Sequence, residues 1–126
     1  MKVKIYYHHT DCGGVVYYAN YLNFLEEART EFFAHQGFSI KELADNGTMF
    51  VVARQEVDYK APAVYGDTLE IITKVGELSA VKMIFEHEIR NQNEKVTTKA
   101  KTTLVCVDSN LKPKAIPEEI RSKFSR

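Results

Sequence analysis

The spacing of apolar and polar side chains divides the chain into an N-terminal strand, a helical region and a β-rich second half. Residues 2–8 alternate between polar and apolar side chains, which is typical of a strand with one buried face. Over about residues 18–36 the apolar positions recur every three or four residues, which predicts a long amphipathic helix. Its expected apolar face comprises Tyr21, Leu25, Ala28 and Phe32, with Leu22 and Phe33 beside it.

The helical region is expected to end in two steps. Gly37 follows the long helix directly, as a glycine often does at a helix terminus. Residues 39–42 read Ser-Ile-Lys-Glu, a capping-box pattern that predicts a short second helix ending near Gly47. A last short helix is expected to begin at Pro117, since proline suits a first helical turn.

The second half of the chain favours strands, because it is rich in valine, isoleucine, threonine and aromatic residues. Residues 91–93, Asn-Gln-Asn, suggest a hairpin turn between two of these strands. With the N-terminal strand, this order predicts an α+β fold in which an antiparallel sheet of about five strands wraps around one long central helix. The four expected strands span 49–60, 67–78, 81–91 and 95–108.

The composition is that of an ordinary globular chain and argues against several classes of partner. A chain of 126 residues favours a single domain covering 1–126, with enough buried surface for a core. Basic and acidic residues number 17 each, so no overall field attracts nucleic acid or an anionic membrane. The longest uncharged stretch, 12–25, is too short to insert across a membrane. Cys12 and Cys106, in a sequence that opens without a signal-peptide pattern, predict reduced thiols and a cytoplasmic location.

Candidate chemistry concentrates between residues 9 and 29, where a glycine loop runs into the start of the long helix. Asp11 in this loop can serve as a nucleophile or as a general base. The first N–H groups of a helix lack intrahelical acceptors and lie at the positive end of its dipole, so they can stabilise an oxyanion. A carboxylate beside such donors suits the hydrolysis of an acyl group. From the residues alone, however, an Asp in this setting is more often a turn former or a helix cap.

Three stretches of the sequence together carry a family pattern. The first and most specific stretch runs from Tyr7 to Arg29, chiefly Thr10-Asp11, Gly14-Val15-Val16-Tyr17, Asn20-Tyr21 and Glu26 to Arg29. The others are Asp58 to Ala63 with Gly66 to Glu70, and Val105 to Asp108 with Lys112-Pro113. Over these stretches, which extend along nearly the whole chain, the sequence resembles the hotdog-fold acyl-CoA thioesterases, in particular the 4-hydroxybenzoyl-CoA thioesterase family and its branch associated with the Tol–Pal system of bacteria.

The resemblance implies a fold, an activity and an assembly. It implies the hotdog fold, and hydrolysis of an acyl-CoA thioester to a carboxylic acid and free CoA without a metal or other cofactor. It also implies a homodimer or homotetramer with sites between subunits. Asp11 matches the catalytic carboxylate, and Tyr18 matches the residue whose backbone N–H binds the thioester carbonyl. Many members of the Tol–Pal branch carry His at the position of Tyr18, so this chain differs from them there.

Further residues are expected to contact the acyl-CoA substrate. Glu26 lies just over two helical turns after Tyr18, where it could meet the acyl group or orient a water; an ion pair with Arg29 explains it equally. Residues 49–53 are expected to form a core strand that lines part of the acyl pocket. The expected substrate-binding set is Gly14, Val16, Tyr17, Glu26, Lys60, Pro62, Ser79 and Lys82, of which Lys60, Ser79 and Lys82 are candidates for the CoA nucleotide.

Four alternative interpretations stay open. Cys12 could be the nucleophile, because thiolates are favoured near helix N-termini. His8 and His9 with Asp11 could suggest a metal site, although the chain offers no spaced pair of zinc type. The third alternative is a hotdog dehydratase acting on hydroxyacyl thioesters, and the fourth is a non-catalytic acyl-CoA-binding protein.

Overall fold

A computed structural model of the chain describes residues 1–125. The strands are β1 (Lys2–Lys4), β2 (Met49–Tyr59), β3 (Thr68–Leu78), β4 (Lys82–Arg90) and β5 (Val96–Val107). The helices are α1 (Asn20–His35), α2 (Ile40–Asp45) and α3 (Glu118–Phe124), and a 3-10 turn covers Tyr7–His9. The strands form one antiparallel sheet that curls around α1, so the expected α+β architecture is confirmed.

The strand order in the sheet is β1-β3-β4-β5-β2, and every neighbouring pair is antiparallel. The register sets Tyr59 opposite Thr98 and Met49 opposite Val107, so these pairs mark opposite ends of the sheet. We call them the Tyr59 end and the Met49 end. Among residues 1–125, no strand pairs with the outer side of β2, which is therefore an edge of the sheet.

α1 lies on the inner face of the sheet and supplies the centre of the core. Leu25 packs in a cluster with Leu69 and Ile71, and Phe33 packs in a second cluster with Phe85. Each such side chain, fully removed from water, contributes about 2 kcal/mol of stability. The buried residues of α1 are Tyr21, Phe24, Leu25, Ala28, Arg29 and Phe33, whereas Leu22 is 45% exposed and Phe32 is half-buried.

The structure confirms the predicted glycine ending of α1 and the predicted serine cap at the start of α2. Gly37 has a φ of 92°, in the left-handed region, and its N–H donates to the Ala34 carbonyl at 3.0 Å. Phe38 N–H then reaches back to the Phe33 carbonyl at 2.9 Å, which completes a Schellman-type ending. At the start of α2, the Ser39 hydroxyl accepts the Glu42 N–H at 3.2 Å.

Two expectations about strands were wrong in part. The strand expected over residues 2–8 ends at Lys4, and Tyr7 is 78% exposed instead of facing the core. Side chains stabilise the 3-10 turn in its place, since His9 Nδ1 accepts the Tyr6 N–H at 2.9 Å and the Thr10 hydroxyl donates to the Tyr7 carbonyl at 2.6 Å. Residues 49–53 are not uniformly core, because Val52 is 52% exposed and Ala53, where the register with β5 shifts, is exposed as well.

Within residues 1–125, none of the helices combines the length and the apolar character needed to cross a lipid bilayer.

Candidate active site

Asp11 lies in a loop whose base is closed by the main chain. Thr10 and Val16 pair as an antiparallel bridge across the loop. Asp11 N–H donates to the Val15 carbonyl at 2.9 Å. Val16 is only 4% exposed, so one side of the loop is anchored in the core while the other side faces outward.

The carbonyl oxygen of His9 ties this loop to the start of α1. It accepts the Tyr17 N–H at 2.9 Å and the Asn20 Nδ2 at 2.8 Å. One atom before the loop is thus bonded to two residues after it. This junction fixes the position of Asp11 relative to the beginning of the helix.

The carboxylate of Asp11 is exposed and takes part in the turn that carries it. Its Oδ1 accepts the Gly13 N–H at 2.8 Å, and its carbonyl accepts the Gly14 N–H at 3.0 Å. The turn-forming role considered from the sequence is therefore present, and it orients the carboxylate. Gly14 has a φ of 80°, which an L side chain rarely adopts. A Cβ on Gly13 would lie 3.3 Å from Asp11 Oδ1, so a small residue keeps this space open.

The turn that leads into α1 presents unpaired main-chain donors. Asn20 N–H donates to the Tyr17 carbonyl at 2.9 Å and Leu22 N–H to the Ala19 carbonyl at 3.1 Å, so the turn already has a helical path. Among the described residues, the N–H groups of Tyr18 and Ala19 meet no acceptor. Tyr18 lies two residues before α1 rather than inside it, and its free amide belongs to the positive end of the helix.

Three partly exposed tyrosines surround this turn. The rings of Tyr17 and Tyr18 have centroids 5.0 Å apart, and Tyr59 meets Tyr18 edge-on at 6.3 Å. The Tyr59 hydroxyl donates to the Tyr18 carbonyl at 3.2 Å. Desolvation, and secondarily the neighbouring Tyr18 phenol, raise the pKa of Tyr59, so this hydroxyl remains a protonated donor at neutral pH. Sequence reasoning included Tyr59 in a matching stretch but gave it no role.

The segment after β2 packs directly against the Asp11 loop. Val16 N–H donates to the Ala63 carbonyl at 2.8 Å, and Val15 forms a bridge with Val64. Pro62 and Lys60, both exposed, lie in this segment, and Lys60 is fixed through its N–H on the Thr97 carbonyl at 2.8 Å. The structure therefore brings the segment of Lys60 and Pro62 to the loop that holds Asp11, Gly14, Val16 and Tyr17.

Ser79 and Lys82 lie elsewhere, at the turn between β3 and β4. β3 begins at Thr68, near the Asp11 loop, and its 11 residues carry the chain to the Met49 end of the sheet. At about 3.3 Å per residue, this turn is roughly 35 Å from the start of β3. The Ser79 hydroxyl accepts the Lys82 N–H at 3.1 Å and so stabilises the hairpin itself. Within one chain, the structure does not bring these two residues to Asp11.

Glu26 is exposed on α1, and the ion pair with Arg29 that was one of its two interpretations is not present among the described residues. Its Oε2 instead accepts the Thr30 hydroxyl at 2.5 Å. Arg29 turns inward, is 8% exposed, and donates from Nη1 to the Thr102 hydroxyl at 3.1 Å. The carboxylate of Glu26 therefore remains open to solvent on the outer side of the helix.

A second buried polar group, His87, lies on the inner face of β4. Its Nδ1 is 3.1 Å from the Thr73 hydroxyl, and its Nε2 has no hydrogen-bond partner within residues 1–125. Burial, and then the positive charge of Arg29, lower the pKa of His87 to about 4. His87 is therefore neutral at physiological pH, and sequence reasoning treated it only as an isolated histidine.

The residues considered for thiol or metal chemistry lie in the Asp11 loop and in the 3-10 turn before it. Cys12 is exposed, and no hydrogen bond joins it to His8 or His9 in the described chain. His9 uses Nδ1 to accept the Tyr6 N–H, and desolvation lowers its pKa, with the neighbouring His8 adding to the effect. Over residues 1–125, no three His, Cys, Asp or Glu side chains lie close enough together to hold a metal ion.

Comparison with known proteins identifies relatives over almost the whole chain. Residues 6–124 match the family description "Thioesterase-like superfamily". The acyl-CoA thioester hydrolase YbgC of Escherichia coli O6:H1 is 39% identical over 125 residues, which are 98% of this chain and 93% of that protein.

Solved structures give the same result for the fold. A hypothetical protein of Aquifex aeolicus has a TM-score of 0.94 at 29% identity, covering 99% of this chain and 98% of that chain. The DHNA-CoA thioesterase of Staphylococcus aureus has a TM-score of 0.93 at 25% identity, covering 98% and 86%. The resemblance stated from the sequence is therefore confirmed, and the chain belongs to the thioesterase-like superfamily of hotdog-fold thioester hydrolases.

Proposed function

We propose that this chain hydrolyses an acyl-CoA thioester to a carboxylic acid and free CoA, with Asp11 as the catalytic carboxylate and the Tyr18 N–H as the oxyanion donor. One observation carries the proposal. Asp11 and the unpaired Tyr18 amide flank a single short loop whose ends are bonded together at the His9 carbonyl. The identity to a relative named as an acyl-CoA thioester hydrolase supports the substrate class.

The proposed reaction uses only water, the Asp11 carboxylate and the Tyr18 N–H. In the general-base route, Asp11 takes a proton from water while the water oxygen bonds to the thioester carbon, and the Tyr18 N–H stabilises the oxygen that becomes negative. The C–S bond then breaks, and the CoA thiolate takes the proton back from Asp11. In the covalent route, the Asp11 carboxylate attacks first, CoA thiolate leaves, and water hydrolyses the resulting anhydride.

The decisive experiment compares the wild type with Asp11→Asn on a panel of aromatic and short aliphatic acyl-CoAs. The amide keeps an oxygen for the Gly13 N–H but can neither attack nor accept the proton, so we expect a loss of at least ~100-fold in kcat. Free CoA is measured by chromatography, since exposed Cys12 would react with a thiol reagent. Asp45→Asn, at an exposed position on α2, is the matched control and should keep full activity.

Two outcomes would contradict this proposal. Equal hydrolysis by the wild type and Asp11→Asn would remove the carboxylate from the mechanism. Loss of activity in Cys12→Ala, with Asp11→Asn active, would instead identify the thiol as the nucleophile. A single turnover in ¹⁸O-water tests the covalent route in which water attacks the Asp11 carbon of the anhydride, because the first product is then unlabelled and the label enters Asp11.

We further propose that two chains pair through β2. Its outer side is unpaired among residues 1–125, and an edge strand of 11 residues readily takes a second strand. Antiparallel pairing of β2 with its copy would reverse the second sheet, so that the Met49 end of one chain lies beside the Tyr59 end of the other. Ser79 and Lys82 of the partner subunit would then lie on the side of the assembly that holds Asp11, where they could meet the CoA nucleotide.

We infer one domain covering 1–126 and a cytoplasmic location. The free thiols of Cys12 and Cys106 support that compartment, since reduced thiols persist there.

A further inference from the structure

We propose that Tyr59 is a positioning residue for hydrolysis, and that its hydroxyl holds the turn that presents the Tyr18 amide. The inference rests on the proposed function, because it assigns Tyr59 a role through the oxyanion donor of that reaction. Tyr59 is the last residue of β2, whereas Tyr18 precedes α1. The contact therefore joins the edge strand to the beginning of the helix.

The longest main-chain hydrogen bond of the turn is the one that the Tyr18 carbonyl accepts. Asn20 N–H and Leu22 N–H close their bonds at 2.9 and 3.1 Å, whereas Tyr21 N–H is 3.3 Å from the Tyr18 carbonyl. The Tyr59 hydroxyl donates to this same carbonyl at 3.2 Å. A carbonyl oxygen has two lone pairs, so both donors can bind it together. The bond from Tyr59 reinforces the turn where the helical bond is longest.

Restraint of this carbonyl acts on the proposed donor through one Cα. The Tyr18 N–H belongs to the preceding peptide, whose carbonyl, that of Tyr17, accepts the Asn20 N–H, whereas the Tyr18 carbonyl belongs to the following peptide. With the following peptide fixed by Tyr59, rotation about both sides of that Cα is limited. An oxyanion donor is effective only when it is held in place before the charge develops. The Tyr59 hydroxyl supplies that restraint without touching the reacting atoms.

The ring of Tyr59 is held independently of its hydroxyl, which makes a clean test feasible. It packs edge-on against Tyr18 at 6.3 Å and against Tyr21 at 5.5 Å between ring centroids. Tyr59→Phe therefore retains these ring contacts and removes only the donor. Tyr65→Phe is the matched control, since Tyr65 is 64% exposed and, within residues 1–125, its hydroxyl has no hydrogen-bond partner.

The experiment measures kcat and KM for an acyl-CoA that the wild type hydrolyses, together with the thermal midpoint and inhibition by free CoA. For Tyr59→Phe we expect kcat to fall about three- to tenfold, the effect of one hydrogen bond, with KM and product inhibition unchanged and with the thermal midpoint lowered by about 5 °C at most. Tyr65→Phe should match the wild type in all four. An unchanged kcat in Tyr59→Phe would overturn the proposal, and so would a loss accompanied by an equal rise in KM or by unfolding of the variant at the assay temperature.

Failure of this inference is distinguishable from failure of the proposed function. If Asp11→Asn is inactive while Tyr59→Phe equals the wild type, the hydrolase assignment stands and only the role of Tyr59 is removed. If the wild type releases no CoA, or if Asp11→Asn hydrolyses as fast as the wild type, the proposed function itself fails.

Discussion

His87 should make the protein lose stability on mild acidification. The imidazole is 3% exposed, and burial with the nearby charge of Arg29 lowers its pKa to about 4, from an ordinary value of 6.5. At pH values between these two, His87 is protonated in the unfolded chain but neutral in the folded chain. Stability therefore rises with pH across this window and falls as pH drops from about 6.5 toward 4.

The size of the effect follows from the same two values. Each unit of pH inside the window corresponds to about 1.4 kcal/mol, so the full difference is about 3 kcal/mol. Between pH 7 and pH 5, where most carboxylates are still ionised, His87 should account for about 2 kcal/mol of lost stability. This is a large fraction of the total for a domain of this size.

The assay is urea unfolding of the wild type and His87→Gln at pH 7 and pH 5, followed by circular dichroism at one fixed protein concentration. The glutamine keeps a polar partner for the Thr73 hydroxyl but does not titrate. The free energy of unfolding that His87→Gln loses between pH 7 and pH 5 should therefore be about 2 kcal/mol smaller than the loss in the wild type. His35→Gln, at an exposed position on α1, should behave like the wild type. Parallel losses in the wild type and His87→Gln would refute the assignment of a buried neutral imidazole.

Two further predictions concern the Asp11 loop and the turn before α1. Tyr18→Phe should keep kcat within about twofold, because the proposed donor is main chain; a large kcat loss with the fold intact would implicate the phenol. Gly14→Ala should destabilise the protein by about 1–2 kcal/mol, because Gly14 has a φ of 80°, and should also lower kcat by displacing Asp11. Gly37→Ala, at a φ of 92°, should lower the thermal midpoint similarly but leave kcat unchanged, and equal kcat in both variants would contradict the loop's role.

The order of elements was predictable because each depends on local patterns. β2 and β3 begin and end within one residue of their expected bounds, and Gly37 ends α1 as its sequence position indicates. Alternation, helical spacing and helix-ending chemistry all act over a few residues, so a single sequence contains them. The position of Asp11 beside the helix start was likewise predictable, since only a short loop separates the two.

The errors concern contacts between residues far apart in the sequence or between side chain and main chain. Arg29 was considered for a surface ion pair, but its guanidinium reaches Thr102, 73 residues away, inside the core. Tyr7 was expected in a strand, but hydrogen bonds involving the His9 and Thr10 side chains stabilise a 3-10 turn. Hydrophobic periodicity contains no sign of either arrangement, because each depends on hydrogen bonds to polar side chains.

Activity and stability should be separable at this site, because the residues that would react contribute little to the core. Residues 11–14 are all exposed, and the loop is anchored by Val16, which is 4% exposed. Loss of an exposed carboxylate removes no buried apolar surface, and Asn at position 11 preserves the turn through its side-chain oxygen. Asp11→Asn should therefore unfold at the wild-type temperature while losing hydrolysis, whereas replacement of Val16 by Ala should cost about 1–3 kcal/mol before any chemistry is considered.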